Sequence, residues 1–355
     1  MRPLRFLVPG TGGRLRSGGL LVELQTLRLL QRIVPAELVT YRRREPGVVF
    51  LRDLLAAEAA PGEALWIVSW GFNVPQQLRQ LRGRPVAYHA HSSGYGFGLP
   101  PGVPVLAVSR NTLGYWGDAA PRNPLFLVPN ALGGEWIERG LRPGGPAAHR
   151  AGDPAGRRPV DVLVQQRKSS AYVLQQLVPA LRQRGLRVEV QSGWVDDLVD
   201  LFNSATVVLY DSADYWRGRR VSEGFGLPPL EALACGCVVF ASLNHALADT
   251  LDPGRLGHQI GAGSLGADLE RIEAAVAEPS AWQADPRRLE ALLEASGEEV
   301  LLQRWQEALE AINRHWDRLE AGEAPLRSPP RWRITWQQRA DRLRRLLFQG
   351  VGSIG

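Results

Sequence analysis

The chain has 355 residues, 45% hydrophobic and 22% charged, a composition typical of globular proteins and a length that favours two domains over one. The sequence contains no run of about 18 apolar residues and therefore predicts no transmembrane helix. Its two cysteines, Cys235 and Cys237, are too few for a disulfide framework or a metal cage. The net charge of +6 comes from residues 325–355, which hold seven arginines and one aspartate, so the neutral remainder excludes a broad nucleic-acid-binding surface.

The first half of the chain alternates between strand and helix patterns. Leu4–Val8 predicts a short buried strand, a glycine-rich loop covers 9–19, and leucines at helical spacing predict a helix ending near Pro35. Three further strand-like runs follow at 65–69, 86–89 and 103–108. Such alternation predicts a parallel sheet covered by helices on both faces.

The alternation restarts after a segment rich in Gly, Pro and Arg, which we interpret as a linker. The second unit has predicted strands at 160–164, 187–190, 207–210 and 238–241, and predicted helices at 171–184, 195–203 and from 228. The sequence thus predicts an α/β fold with two Rossmann-like, doubly wound domains facing a central cleft. The predicted boundaries are an N-terminal domain at 1–130, a linker and hinge region at 131–158, a C-terminal domain at 159–300, a closing helix at 301–324 and a basic amphipathic tail at 325–355.

The basic tail carries its own pattern. A helix over about 334–348 would place Trp336, Leu343 and Leu347 on one face with arginines around it. That pattern fits a helix lying on an anionic lipid surface. A solvated helix or a disordered extension fits the same residues equally well.

Ligands of open α/β sheets bind beyond the carboxyl ends of the strands, which directs attention to the loops there. The loop 9–19 ends in Gly18-Gly19, which opens a helix whose amino-terminal amides favour phosphate. It is neither a Walker A loop nor a dinucleotide GxGxxG loop, and a tight turn without a ligand is the alternative.

Two further loops carry polar side chains directly after strands. His89 and His91 are predicted to share a face at the end of the strand 86–89, where a neutral histidine can hydrogen-bond a sugar hydroxyl, although a structural histidine is the default for either one. Arg167 and Lys168 follow the strand 160–164 and precede a helix, a position that suits a diphosphate, with a solvated surface pair as the alternative. Lys168 is the only lysine beside 41 arginines, which marks its site as one that tolerates or requires a compact ammonium.

The most informative segment is EGFGLPPLEALACG, residues 223–236. Gly224 and Gly226 can expose backbone amides in a turn, and the proline pair that follows fits a first helical turn. Glu223 is therefore predicted in a loop and Glu231 in a short helix, both facing the cleft. Because carboxylates repel phosphate, we expect both to accept hydrogen bonds from sugar and ribose hydroxyls.

This segment resembles the signature of retaining GT-B glycosyltransferases of family GT4 (glycosyl transferases group 1), in which seven residues separate two glutamates. Gly18-Gly19, the strand that ends at Ser109 and the run Val128–Ala131 resemble further landmarks of that family, in the same order. The resemblance covers roughly residues 4–320 and is dense only in the second domain. It implies the GT-B fold.

The resemblance also implies roles for individual residues. The implied catalytic residues are His91, Arg167, Lys168 and Glu223. The implied donor-binding residues are Gly18, Gly19, Gly224, Phe225, Gly226 and Glu231. In this scheme Glu231 holds the ribose, Glu223 and His91 hold the donor sugar, and the basic pair neutralises the departing diphosphate.

The implied function is transfer of a sugar from a nucleotide-diphosphate sugar to a hydroxyl acceptor, with retention of configuration, in glycan, polysaccharide or glycolipid synthesis. No D-x-D motif for a metal-bound nucleotide occurs, so we expect no metal or other cofactor. The expected partners are the nucleotide-sugar donor, a glycan or lipid-linked acceptor and an anionic membrane surface contacted by 325–355. The expected location is cytoplasmic, peripheral to the inner face of the membrane.

Two alternatives remain at this stage. One is a nucleotide-sugar 2-epimerase of the same fold, which would need further acid and base carboxylates in the cleft. The other is a catalytically silent nucleotide-sugar-binding or scaffold protein, although both glutamates of the segment 223–236, His91 and Lys168 are all present.

Overall fold

The computed structural model describes residues 1–15, 17–58, 62–69, 71–148, 158–327 and 331–351, and contains two parallel sheets. The strands of the first sheet are β1 (Leu4–Val8), β2 (Ala36–Thr40), β3 (Val49–Phe50), β4 (Leu65–Val68), β5 (Val86–Ala90), β6 (Val105–Ala107) and β7 (Leu125–Leu127). They pair in parallel in the order β3-β2-β1-β4-β5-β6-β7. The helices of this domain are α1 (Gly18–Leu30), α2 (Leu51–Ala57), α3 (Val74–Gln80) and α4 (Arg110–Ala119). The next helix, α5 (Gly134–Arg139), packs in the core of the second domain.

The second sheet has five strands, again all parallel. They are β8 (Val160–Gln165), β9 (Val188–Gln191), β10 (Ala205–Tyr210), β11 (Val238–Ala241) and β12 (His258–Gln259), in the order β12-β11-β10-β8-β9. A π-helical turn at Val173–Leu177 leads into the first helix. The helices are α6 (Val178–Gln183), α7 (Leu198–Asn203), α8 (Ala213–Arg219), α9 (Leu227–Ala234), α10 (Leu247–Thr250), α11 (Leu265–Ala277) and α12 (Pro286–Ala295). The predicted arrangement of two parallel α/β domains is confirmed.

The central strands are apolar at nearly every position because helices cover both of their faces. Every residue of β4 and of β10 is buried. The strand β2 escaped prediction because it is only half-buried over most of its length. Its Glu37 pairs with Arg5 of the neighbouring strand at 2.7 Å, and this acid interrupts the apolar run that marks the other strands.

The last part of the fold returns the chain to the first sheet. Helix α12 packs on the second sheet, whereas α13 (Glu298–Glu320) packs against α1 and against a core cluster that includes Phe6, with Trp305 buried in that contact. The backbone N–H of Leu132 donates to the carbonyl of Ser296 at 2.9 Å. The chain therefore crosses between the two sheets twice, and the two crossings are hydrogen-bonded to each other.

The basic tail contains a helix somewhat longer than expected, α14 (Arg331–Val351). Its described side chains at 332–344 are all exposed, and Trp332 and Trp336 are each 66% exposed. No helix in the described part of the chain is long and apolar enough to cross a membrane.

Candidate active site

The glycine pair opens helix α1 at the carboxyl edge of the first sheet. Ser17 caps the helix, and its hydroxyl accepts from the backbone N–H of Leu20 at 3.5 Å. Gly18 is exposed, and a Cβ atom added there would meet nothing within 4 Å. The preceding turn is anchored separately, because the backbone N–H of Thr11 donates to the Glu45 carboxylate at 2.8 Å. The start of α1 is thus open to an anion.

His89 and His91 lie on one face of the strand end, as predicted, and both contact a third residue, Glu23 of α1. The Nδ1 atom of His89 lies 2.8 Å, and the Nε2 atom of His91 2.6 Å, from the same oxygen, Oε1 of Glu23. Glu23 and His89 are almost completely buried, and the side chain of His91 is 11% exposed. The structure therefore places a carboxylate behind His91, at the boundary between core and cleft.

Lys168 sits in the turn after β8 with a left-handed backbone, φ 74°. A non-glycine residue rarely adopts that conformation, and such strain concentrates at functional sites. Its Nζ lies 3.5 Å from Oε1 of Glu223, 3.3 Å from the hydroxyl of Tyr210 and 4.8 Å from the ring centre of Trp216. The neighbouring Arg167 is exposed and has no ion pair within the described part of the chain.

Glu223 is buried and held by three neighbours. Its Oε2 accepts from the hydroxyl of Tyr210 at 2.6 Å and from the indole N–H of Trp216 at 2.7 Å, while Lys168 approaches Oε1. Burial raises the pKa of Tyr210 well above its usual range, with the Glu223 charge adding to the effect, so the phenol stays a donor. The backbone N–H of Glu223 donates to Nδ1 of His245 at 3.3 Å.

The glycines of the loop after Glu223 are required by close contacts. A Cβ atom added at Gly224 would lie 1.5 Å from the carbonyl oxygen of His91, and one added at Gly226, where φ is 89°, would lie 2.2 Å from Leu247. Phe225 between them buries its ring in the core of the second domain. Within the described residues, nothing accepts a hydrogen bond from the three backbone N–H groups at 224–226, which leaves these donors available to an anion.

The same loop is joined to the first domain by serines. The hydroxyl of Ser92 donates to the carbonyl of Ser222 at 2.6 Å, and the backbone N–H of Ser93 donates to the Ser222 hydroxyl at 3.1 Å. A Cβ atom added at Gly94 would lie 2.5 Å from the carbonyl oxygen of Arg220. The loop carrying His91 and the loop carrying Glu223 are therefore in direct contact, and the domains are closed on each other here.

Glu231 projects from α9, one turn and a half beyond the glycines, and is half-buried. Burial raises its pKa to about 8, although the Lys168 ammonium opposes the shift and Glu135 adds to it. A carboxyl group in this setting gains by accepting hydrogen bonds from hydroxyl groups, since those bonds stabilise its ionised form.

The structure brings together most of the residues that the sequence singled out. His91, Lys168 and Glu223 lie in adjoining loops, next to the amides at 224–226. Sequence reasoning missed four residues that hold them: Glu23, Tyr210, Trp216 and His245. Two of these carried a signal, because Glu23 is a charge on the apolar stripe of a predicted helix and Tyr210 ends a predicted strand.

Comparison with known proteins agrees with this arrangement. Residues 175–288, which include the loop and helix with both glutamates, match the protein family described as Glycosyl transferases group 1. No curated protein matches the sequence.

Solved structures resemble the whole fold at low sequence identity. Sucrose-phosphate synthase from Thermosynechococcus elongatus shares 16% identity with a TM-score of 0.60, covering 88% of this chain and 99% of that chain. A glycosyltransferase from Rickettsia africae has the same TM-score at 10% identity, with 88% and 98% covered. HepE of Anabaena, in complex with UDP and glucose, has a TM-score of 0.57 at 14% identity, with 88% and 100% covered. The fold is that of GT-B glycosyltransferases.

Proposed function

We propose that this protein is a retaining glycosyltransferase of family GT4, which transfers a sugar from a nucleotide-diphosphate sugar to a hydroxyl acceptor. The observation that carries the proposal is the contact of the only lysine, Lys168, with Glu223, beside the backbone amides at 224–226, for which the described residues provide no acceptor. An ammonium and three amides suit a diphosphate, and a buried carboxylate suits sugar hydroxyls. The UDP and glucose bound in HepE support a nucleotide-sugar donor.

The chemistry follows from the residues around the cleft. The bond between the sugar's anomeric carbon and the diphosphate oxygen breaks as a bond from the acceptor oxygen forms on the same face, and the acceptor proton passes to the leaving phosphate. Lys168 and the amides at 224–226 stabilise the negative charge that develops on the diphosphate. Glu223 and His91 orient the donor sugar, and Glu231 accepts from the ribose hydroxyls.

In this proposal the positive groups of the chain do the work that a divalent metal does elsewhere, so transfer needs no metal. The amino-terminal end of α1, with Gly18 and Gly19, adds further donors on the opposite wall of the cleft. Arg167 reinforces the field of Lys168 from the rim of the site. The acceptor is a glycan or a lipid-linked sugar, and α14 brings the enzyme to the cytoplasmic, anionic face of a membrane.

A calorimetric titration with UDP, GDP and ADP in the presence of EDTA tests the donor site. We expect one nucleotide to bind the wild-type protein, and Lys168→Ala to weaken it by ~1–3 kcal/mol through loss of a charge-assisted contact. Arg287→Ala removes an equal charge from an exposed position on α12 and should leave the affinity unchanged. Equal effects of the two variants would reduce Lys168 to a general electrostatic contribution.

Arg167→Ala separates the two adjacent basic residues. Because Arg167 is exposed and Lys168 contacts Glu223, we expect the smaller loss of affinity in Arg167→Ala. If no nucleotide binds with or without magnesium, the assignment of the donor site is wrong. A scaffold protein without catalytic activity is then favoured over a glycosyltransferase.

A further inference from the structure

Glu23 is a charged residue in an apolar environment. Helix α1 buries Leu20, Leu27 and Leu30 on the face that packs against the first sheet, and Glu23 is on that face with 1% of its surface exposed. Burying an unpaired carboxylate costs several kcal/mol, on the order of the whole stability of a domain. Its place in the core therefore requires partners, and the two histidines provide them at Oε1, whereas Oε2 is buried without a hydrogen-bond partner in the described part of the chain.

The geometry indicates which ring nitrogens carry the protons that face Glu23. An ionised carboxylate only accepts hydrogen bonds, so Oε1 of Glu23 accepts from Nδ1–H of His89 and from Nε2–H of His91. The remaining ring nitrogen of His89, Nε2, is buried with no hydrogen-bond partner in the described part of the chain. A bare nitrogen there agrees with a neutral His89 protonated only on Nδ1.

The charges agree with this assignment. Burial alone would raise the pKa of Glu23, but the positive charge that the two imidazoles carry when protonated, together with their hydrogen bonds, outweighs it and lowers the pKa to about 2. Burial also lowers the pKa of His89, against the pull of Glu23, which keeps that ring neutral at pH 7. Glu23 is thus an ionised acceptor, and His89 fills its second acceptor direction without adding charge.

We propose that Glu23 is a positioning residue that holds His91 as the Nε2–H tautomer and so makes Nδ1 its hydrogen-bond acceptor. This inference rests on the proposed function, in which His91 meets the donor sugar. The backbone of His91 is fixed independently by the close approach of its carbonyl to Gly224, so Glu23 determines only the ring. A donor-sugar group that meets Nδ1 must then donate a hydrogen bond, so a hydroxyl suits the contact and a deoxy or fluoro analogue weakens it.

Nitrogen-15 NMR of the full chain, labelled at histidine, tests the geometry without any ligand. We expect two-bond proton–nitrogen correlations to show His89 as the Nδ1–H tautomer and His91 as the Nε2–H tautomer, with His91→Gln identifying the signals. In Glu23→Leu both fixed tautomers should be lost. Thr26→Val, a buried substitution one turn along the same helix, is the matched control and should leave both unchanged.

A kinetic comparison tests positioning against mere stability. With UDP and UDP-glucose, or the guanosine or adenosine counterparts that bind, Glu23→Leu should keep the nucleotide affinity within about threefold. Its donor turnover should fall about 10- to 100-fold, the loss expected from a misplaced contact. Glu23→Gln retains one oxygen, so its turnover should lie between those of Glu23→Leu and the wild type. The turnover of Thr26→Val should match that of the wild type.

Three results would overturn the inference. They are a wild-type His91 protonated on Nδ1, a Glu23→Leu protein with wild-type turnover, and equal losses of nucleotide affinity and turnover. Glu23, His89 and His91 are also close enough together to hold a metal ion. Stoichiometric zinc uptake that Glu23→Leu abolishes would replace the hydrogen-bonded assignment. Failure of every donor to react counts against the proposed function. In that case the NMR measurement of the histidine tautomers alone tests whether Glu23 positions His91.

Discussion

Glu231 is half-buried and has a pKa raised to about 8. Because its pKa differs between the folded and unfolded states, this residue makes the stability of the protein depend on pH. Between the unfolded pKa near 4.5 and the folded value, the folded protein keeps a proton that the unfolded chain has lost. The free energy of unfolding therefore falls as pH rises from about 5 to 8, by at most about 1.4 kcal/mol per pH unit from this group. We expect Glu231→Gln to remove this slope.

Urea unfolding of the wild type and Glu231→Gln at pH 5, 6, 7, 8 and 9 measures the effect. The difference between the two proteins should grow in favour of the variant up to about pH 8 and then level off. Histidines that titrate in this window act equally on both proteins and cancel in the difference. Parallel curves would show that Glu231 is ionised with an ordinary pKa in the folded protein.

Some residues of the candidate site could be predicted from the sequence, and others could not. Lys168 and His91 were predicted because polar residues directly after predicted strands face the ligand edge of a parallel sheet, and Glu223 was predicted from the segment of glycines and prolines that it opens. Trp216 gave no such signal, since it comes from α8, and its bond to Glu223 depends on how that helix folds back. Contacts that tertiary packing creates between distant segments have no local pattern.

Helix α14 is the element whose surface is least explained by the fold. Its exposed tryptophans and its arginines at 333, 339, 342 and 344 face solvent. Near an anionic bilayer each arginine contributes about 1 kcal/mol. Replacing Arg339, Arg342 and Arg344 together by glutamine should therefore weaken binding to phosphatidylglycerol vesicles on the order of 100-fold.

Vesicle co-sedimentation checks this prediction. Binding should be strong with phosphatidylglycerol, weak with phosphatidylcholine, and reduced by salt because the charges are exposed. A chain without 325–355 should lose vesicle binding and keep nucleotide binding, which shows that the body is folded. Wild-type vesicle binding by either altered protein would exclude α14 as the membrane contact.

The elements of the fold were predictable where their pattern is strong. β1 and β11 begin and end where the apolar runs do, and α9 begins at the predicted turn of glycine and prolines. β2 was not predicted because its polar residues on a half-buried side remove the continuous apolar run that identifies a covered parallel strand. β3 was not predicted because it is only two residues long.

At the scale of the whole molecule, the two domains meet in a closed arrangement. The contacts of Ser92 and Ser93 with Ser222 and the approach of Gly224 to His91 place the two halves of the site against each other. The two chain crossings lie together at Leu132 and Ser296, where a change of domain orientation would disturb one shared hydrogen bond. The sequence could predict two domains and a cleft, but not this contact, which depends on their relative orientation.

The proposed function is transfer of a sugar from a nucleotide-sugar with retention of configuration. Proton NMR of the anomeric signals tests it, recorded in EDTA while the protein transfers the sugar of a UDP-, GDP- or ADP-sugar to water as the acceptor. We predict that one donor is consumed, that its first sugar product has the donor's anomeric configuration, and that Lys168→Ala slows the reaction. A product of opposite configuration, or no reaction with any donor under conditions where the nucleotide binds, would contradict the proposed retaining transfer.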